Sequence, residues 1–321
     1  MSILVTGSIA IDHIMVFEDE FKNHILPDKI HSLNIAFHVP SLDKRWGGTA
    51  ANIAYNLRVL DVDPIVLGTV GSDLGAYADW LDQSGIRRDW IRVLDDAFTA
   101  QCYITTDLAH NQITAFHPGA MDRAHEAPIA GVTEELSVAI VGPNGKRAML
   151  EHARALKQRG VPCIVDPGQG LPMFSGDELL EMIEGCAIYV VNDYEWAMTA
   201  EKTGLDEAQI AERVGALVVT LGEKGSVVTR GGLDCGISLE ADRSEIAVVR
   251  AEQIVDPTGC GDAYRAGLLY ALARGLPVEA GSRVGSVLGA LKIARPGPQS
   301  IPLDPVAFAE SYRAEYGAPL P

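Results

Sequence analysis

Short apolar runs recur along the chain at residues 3–5, 64–70, 138–141, 163–165, 188–191 and 217–221, and longer stretches of helical spacing separate most of them. Strands that alternate with helices predict βα units and therefore a parallel sheet. Several of the runs are apolar throughout, as strands are when helices cover both faces, so the expected fold is α/β, a doubly wound, mostly parallel sheet flanked by helices. Two stretches break the alternation. Residues 14–46, and the pair 100–106 and 112–116 around Asp107-Leu108-Ala109-His110-Asn111, have the spacing of short β segments and hairpins. They predict a small β lid formed by about 14–46 and 100–117. No low-complexity linker or internal repeat divides the chain, so the lid is expected as an insertion in a single domain spanning 1–321. The acidic stretch 178–184 reads as a solvated helix face.

Length alone allows two average domains or one continuous core, since 321 residues suit either. With 47% hydrophobic and 21% charged residues, the chain has material for a packed interior and lacks the signature of disorder. A formal charge of −17 repels nucleic acid and anionic membrane surfaces at long range, so neither is an expected partner. An anionic ligand then needs a local positive site. The five cysteines (Cys102, Cys163, Cys186, Cys235, Cys260) are dispersed and form no Cys-x-x-Cys pair, which fits reduced thiols. No apolar run reaches the length of about 20 residues needed to span a bilayer, and no basic signal region precedes the first strand, so the expected location is cytoplasmic.

One segment offers such a positive site. After a strand-like run at 252–255, Asp256-Pro257-Thr258-Gly259-Cys260-Gly261-Asp262 leads into a helical pattern at 263–273 that ends near Gly275. Gly259 and Gly261 allow unusual dihedrals and close approach, so successive N–H groups can converge on an anion while the helix dipole adds positive potential. Asp262, at the helix start, stands where a carboxylate can take the proton of an attacking hydroxyl. Taken alone, the same residues also describe an aspartate N-cap behind a glycine turn. Three other motifs share that ambiguity. Asn192-Asp193-Tyr194-Glu195 emerges at the carboxyl edge of the strand at 188–191 but is equally an N-cap with its capping glutamate. Thr220-Leu221-Gly222-Glu223-Lys224-Gly225 joins two strand-like runs and reads as a hairpin turn. Ser8 and Asp12 follow the first strand, and Gly47-Gly48 opens a helix that Thr49 could cap. Two nucleotide-binding patterns are missing: Gly142-Pro143-Asn144-Gly145-Lys146-Arg147 lacks the Walker A spacing, and Gly7-Ser8-Ile9-Ala10 stops at one glycine where a Rossmann fingerprint needs three.

Together these motifs decide the matter. Asp256-Pro257-Thr258-Gly259-Cys260-Gly261-Asp262-Ala263 closely resembles the C-terminal signature of the ribokinase-like (PfkB) carbohydrate and nucleoside kinases, and Gly47-Gly48-Thr49-Ala50-Ala51-Asn52, Asn192-Asp193-Tyr194-Glu195 and Thr220-Leu221-Gly222-Glu223-Lys224-Gly225 follow in the family's order. The resemblance covers nearly the whole chain. It implies an ATP-dependent phosphotransferase in which Asp262 is the catalytic base and the Gly259, Cys260 and Gly261 amides form the anion hole. It places Asn192, Thr220, Gly222, Gly225, Asp256 and Thr258 along ATP, and Asn192 with Glu195 around hydrated Mg²⁺; a monovalent cation such as K⁺ is a further expectation. Ser8, Asp12, Gly47, Gly48 and Asn52 would grip a ribose-like acceptor. Cys260 stands where the family usually has alanine, which suggests sensitivity to oxidation. Arg265, one turn beyond Gly261, reads as a surface salt bridge rather than a phosphate contact.

Residues 111–120, with Asp166-Pro167-Gly168-Gln169, further resemble the adenosine kinase-like branch of archaeal and bacterial broad-specificity nucleoside kinases. On that likeness Phe116 and Met121 cover a purine face, Gln112 bonds a base edge and Gln169 adds a contact at another strand end, where Asp166 and Gln169 could also be structural. His117 reads as a packed or exposed histidine rather than a ligand. The implied reaction is phosphorylation of the ribose 5′-hydroxyl of a nucleoside such as adenosine or inosine. The alternatives are a free sugar as acceptor, or a silent ligand-binding regulator that keeps the fold. Monomer and homodimer are both compatible with the sequence.

Overall fold

In the computed structural model the described residues are 2–25, 31–32, 34–109 and 111–321; residues 26–30 and 33 of the expected lid, and His110 of its expected turn, lie outside them. The apolar runs form the strands they predict. β1 (Ile3–Thr6) is followed by β2 (Ala10–Val16), β3 (Ser41–Gly47), β4 (Pro64–Gly71), β5 (Ile91–Leu94), β6 (Ala100–Thr106), β7 (Gln112–His117), β8 (Val138–Val141), β9 (Cys163–Val165), β10 (Ile188–Asn192), β11 (Ala216–Thr220), β12 (Ser226–Arg230) and β13 (Arg243–Ile246). The helices are α1 (Thr49–Val59), α2 (Gly75–Gln83), α3 (Lys146–Gln158), α4 (Gly176–Ile183), α5 (Asp193–Thr203), α6 (Glu207–Ala211), α7 (Cys260–Ala273), α8 (Val278–Ile293) and α9 (Pro305–Tyr316).

The large sheet has nine strands in the order β13-β12-β11-β10-β9-β8-β1-β4-β5. It is parallel from β11 to β5, and β12 and β13 extend it antiparallel. Successive side chains of one strand enter opposite layers: Ile3 and Val5 pack under α1, α7 and α8, whereas Leu4 packs with Met149 and Leu156 of α3 and Leu179 of α4. Both faces of the central strands are thus buried, which is why they carry no polar alternation.

Four strands form a separate small sheet in the order β3-β2-β6-β7. Its register puts Asp12 opposite both Arg45 and Cys102, and Cys102 opposite Phe116, so these four side chains share one face. The strands expected at 100–106 and 112–116 are present. β2 begins at Ala10 rather than near residue 14, because only Gly7, Ser8 and Ile9 separate it from β1.

Two further differences have local causes. β5 carries no apolar run in the sequence because it is a four-residue strand at the sheet edge with Arg92 and Val93 exposed. Conversely, no strand forms at 252–255. Ile254 is 82% exposed, and the Val255 and Asp256 N–H groups both reach the Ile293 carbonyl, so the apolar character that suggested a strand lines a cleft instead.

The helix that carries Asp262 is held by an unusually close helix pair. A Cβ at Gly267 of α7 would collide with the Gly285 backbone nitrogen, and one at Gly285 of α8 would lie 2.7 Å from the Tyr264 carbonyl. A Cβ at Gly289, also on α8, would meet open space. Gly267→Ala should therefore lower the free energy of unfolding by about 1–3 kcal/mol through overpacking. Gly289→Ala should leave it unchanged or raise it by up to about 1 kcal/mol through helix propensity. Urea denaturation midpoints check the contrast, and equal effects would contradict the packing description.

Candidate active site

The glycine turn enters α7 in a conformation open to glycine. Gly259 has φ +82°, and a Cβ there would lie 2.6 Å from the Pro298 Cβ. The N–H groups of Gly259, Gly261 and Asp262 have no acceptor among the described residues, and they sit at the N-terminus of a 14-residue helix. Unpaired amides at a helix start attract an anion. Cys260 departs from the expected anion hole: its N–H closes the turn on the Pro257 carbonyl at 3.1 Å. The Asp262 N–H takes its place among the free donors. Nor does the Cys260 thiol look primed for oxidation. Burial pushes its pKa up to about 11 and Sγ faces the Gly289 carbonyl, so little reactive thiolate forms at neutral pH.

Asp262 is the electrostatic centre. Burial, reinforced by the charges of Asp166 and Asp12, pushes its pKa up to about 7, against the hydrogen bond from Asn52 and the charge of Arg265. Asn52 Nδ2 donates to Asp262 Oδ2 at 2.8 Å. The polarity of that bond is set two residues away. Trp80 Nε1 can only donate, and it donates to Gln299 Oε1 at 2.7 Å, which turns Gln299 Nε2 toward Asn52 Oδ1 at 3.0 Å and leaves the Asn52 amide nitrogen facing Asp262. Gln299 Nε2 also donates to the Tyr77 hydroxyl at 2.9 Å, and that hydroxyl donates to the Gly47 carbonyl at 2.7 Å. Trp80, Tyr77 and Gln299 belong to no motif, and their role was invisible in the sequence.

The expected acceptor residues converge beside this network. Asp12 projects from β2, where burial raises its pKa to about 6 despite the Arg45 charge. Its Oδ2 is so close to Gly47 that an added Cβ there would stand 2.7 Å away. Gly48 has φ +89°, and a Cβ would lie 2.6 Å from the Ile9 Cα, so no other residue fits. Thr49 does not cap α1 as expected. It is the helix's first residue, and Ser8 does the capping: Ser8 Oγ accepts the Thr49 N–H at 3.0 Å, and its carbonyl accepts the Ala50 N–H at 3.0 Å.

Phe116 is half exposed on the face of the small sheet that carries Asp12, in the rung shared with Cys102. Gln112 is on the same face but four residues away, roughly 14 Å along the strand, and its Nε2 donates to Thr106 Oγ1 at 3.3 Å. The fold does not bring it to the Asp12 end. Met121 lies in the turn after β7, half-buried, with its carbonyl against Gly145. Gln169 is exposed, and no hydrogen-bond partner holds its side chain among the described residues. His117 is exposed. Arg265 corrects its expectation: it does form a salt bridge, with Asp166 at 2.9 Å, but both side chains are buried. The pair braces β9 against α7 beneath the site, and two paired charges are what allow the burial.

On the other side of α7 a cleft of about 620 Å³ runs from Thr220, Gly222 and Gly225 past Cys260 and Gly261 to Ile254 and Ile293. The hairpin reading of this loop is also correct, since β11 and β12 pair antiparallel across it. Gly225 serves the hairpin first: φ is +86° and a Cβ would collide with the Ile246 carbonyl. Gly222, with φ +57°, has no atom within 4 Å of an added Cβ and faces the cleft. Thr220 Oγ1 donates to the Val191 carbonyl at 3.4 Å, tying β11 to β10 at the cleft edge. Asn192 and Glu195 form a full capping box on α5, with 2.8 Å bonds in both directions. Burial, then the Asp166 charge, raises the Glu195 pKa, so a cation at its carboxylate would relieve an existing electrostatic cost. That donor set fits a hydrated Mg²⁺. Asp256 and Thr258 are engaged in the loop itself. Asp256 accepts the Thr258 N–H at 2.9 Å, the Gly297 N–H at 2.8 Å and Arg45 NH1 at 3.1 Å, and its pKa is lowered: burial works the other way, but these amide donors outweigh it.

Among the described residues no helix is long and apolar enough to cross a membrane. Residues 2–304 match the profile of the pfkB family carbohydrate kinases. The chain is 31% identical over 303 residues to a nucleoside kinase of Methanocaldococcus jannaschii, covering 93% of this chain and 92% of that one. Its fold superposes on the Burkholderia thailandensis nucleoside kinase in complex with inosine with a TM-score of 0.86 and 43% identity, covering 99% of each chain. It also superposes on the Arabidopsis thaliana ribokinase complexed with ribose and ATP with a TM-score of 0.75, over 97% of this chain and 98% of that one; at 19% identity this likeness concerns the fold alone. A glycine turn with free amides, a carboxylate of raised pKa and a profile match over residues 2–304 lead to one conclusion: the chain belongs to the pfkB family of carbohydrate kinases.

Proposed function

We propose that this protein is an ATP-dependent nucleoside kinase that phosphorylates the ribose 5′-hydroxyl of adenosine- or inosine-like nucleosides. The observation that carries this reading is the hydrogen bond from Asn52 to Asp262, because it joins the acceptor-side residues of α1 directly to the anion turn of α7. Asp12, Asn52 and the backbone at Gly47 and Gly48 suit vicinal ribose hydroxyls, and Asp262 lies where the remaining primary hydroxyl would be presented. With a pKa near 7, its carboxylate is basic enough to take the hydroxyl proton and is still substantially ionised at neutral pH.

ATP is expected in the cleft on the other side of α7, with its phosphates directed at the Gly259, Gly261 and Asp262 N–H groups. Oxygen attack on the γ-phosphorus breaks the bond to the β-phosphate bridging oxygen, and the amides stabilise charge on the transferring oxygens. Mg²⁺, bound through Asn192 and Glu195, would neutralise phosphate charge. The small sheet acts as a lid, whose Phe116 offers apolar cover to a base. The nucleoside kinases of Burkholderia thailandensis and Methanocaldococcus jannaschii, alike over nearly the full length, support this acceptor class.

A free sugar would satisfy Asp12 and Asn52 but leave Phe116 without a partner. Adenosine or inosine should therefore exceed ribose and fructose in kcat/KM, and a higher value for a free sugar than for every common nucleoside would sink the assignment. Asp262→Asn keeps size and capping ability but removes the base, so kcat should fall by about 10²- to 10⁴-fold with ATP affinity largely kept. An unchanged kcat would reduce Asp262 to a helix cap. Because the folded-state pKa of Asp262 is raised, its stabilising contribution is complete at low pH and is lost as pH rises through about 7. The same variant should accordingly gain thermal stability relative to the native protein at alkaline pH but not at low pH, as scanning calorimetry would show.

A further inference from the structure

Lys292, in the last turn of α8, is fully buried, and no carboxylate lies within salt-bridge distance of it among the described residues. A buried ammonium without an ionic partner is costly, so what surrounds it is informative. Nζ donates to the Asp256 carbonyl at 2.8 Å and to the Arg295 carbonyl at 3.0 Å. Asp256 opens the segment that carries the anion-hole amides, and its carboxylate is clamped by the Gly297 and Thr258 N–H groups and by Arg45. Converging carbonyl oxygens beside a carboxylate are the donor set a hard cation seeks. Here those carbonyls already hold an ammonium group. The residues present do not fit a separate K⁺ at this position.

We propose that Lys292 is the resident cation of the anion turn, a positioning residue that fixes Asp256 and through it the Gly259 and Gly261 amides, and that phosphoryl transfer is consequently independent of added monovalent cations. Lysine covalently supplies one positive charge to the two carbonyls, so the turn is set before any salt binds. The inference rests on the kinase reading above, but its test separates the two.

Initial rates with Mg-ATP and inosine are measured at constant ionic strength in tetramethylammonium, Na⁺, K⁺ and NH₄⁺ chlorides. The native enzyme should turn over equally in all four. Lys292→Ala should lose about 10²-fold in kcat in tetramethylammonium chloride, the scale of a displaced catalytic group, and regain part of it in K⁺ or NH₄⁺. A native enzyme that needs K⁺ overturns the proposal, and so does a folded Lys292→Ala that is unimpaired, or equally impaired in every salt. If Lys292→Ala and Lys292→Met both fail to fold, the native salt series still decides. A native protein with no turnover on any nucleoside would refute the nucleoside assignment instead, and ATP affinity measured in the same four salts then reads the same contrast.

Discussion

A carboxylate kept largely out of water at the N-terminus of a helix is the feature on which the rest of the site depends. Asp262 would be unremarkable at the surface, where its pKa would stay near the ordinary carboxylate value. Enclosed between α1 and α7, it is lifted to about 7 by burial and by Asp166 and Asp12, while Asn52 and Arg265 limit the rise. Other parts of the fold serve that balance. The close packing of α7 on α8 at Gly267 and Gly285 fixes the helix, and the buried Asp166–Arg265 pair fixes its position over β9. Trp80 and Gln299 determine which end of the Asn52 amide meets the carboxylate. A carboxylate with a pKa raised in this way is obtained at the expense of stability at neutral pH, the usual direction of conflict at an active site.

Arg45 gives the small sheet a direct part in this arrangement. Its guanidinium reaches from β3 to Asp256 of the anion turn at 3.1 Å, and it shares a face with Asp12 and Phe116. Movement of the sheet therefore perturbs the glycine turn proposed to receive the phosphate as well as the residues proposed to hold the acceptor. Lys292 restrains Asp256 from the opposite side, through the carbonyl rather than the carboxylate.

Much of this is legible in the sequence itself. The central strands β1, β4 and β8 to β11 announce themselves because burial on both faces selects mainly apolar residues, and motif residues distant in sequence meet, as Asn52 and Asp262 do through a hydrogen bond. What escaped was created by tertiary contact. Arg265 reads from the sequence as a surface charge because arginine usually is one, and its partner Asp166 lies 99 residues upstream. Gln299, 247 residues from Asn52, and Lys292 have no local pattern at all. The run 252–255 misled in the other direction, since apolar residues that serve a cleft look like those of a strand. Gln112 shares a face of β7 with Phe116, but nothing in the sequence shows that it lies at the far end of the strand from Asp12.

The central claim is that Asp262 works as a base whose pKa is set by burial and held down by Asn52. The pH dependence of kcat/KM for the native enzyme and for Asn52→Ala, over about pH 5 to 8, tests it most directly. The native acid limb should have its midpoint close to 7, activity falling as protonation disables the base, and loss of the Asn52 donor should shift that limb to higher pH, whatever it does to the plateau. A native profile flat across this range, or a limb that stays in place in Asn52→Ala, would contradict the account.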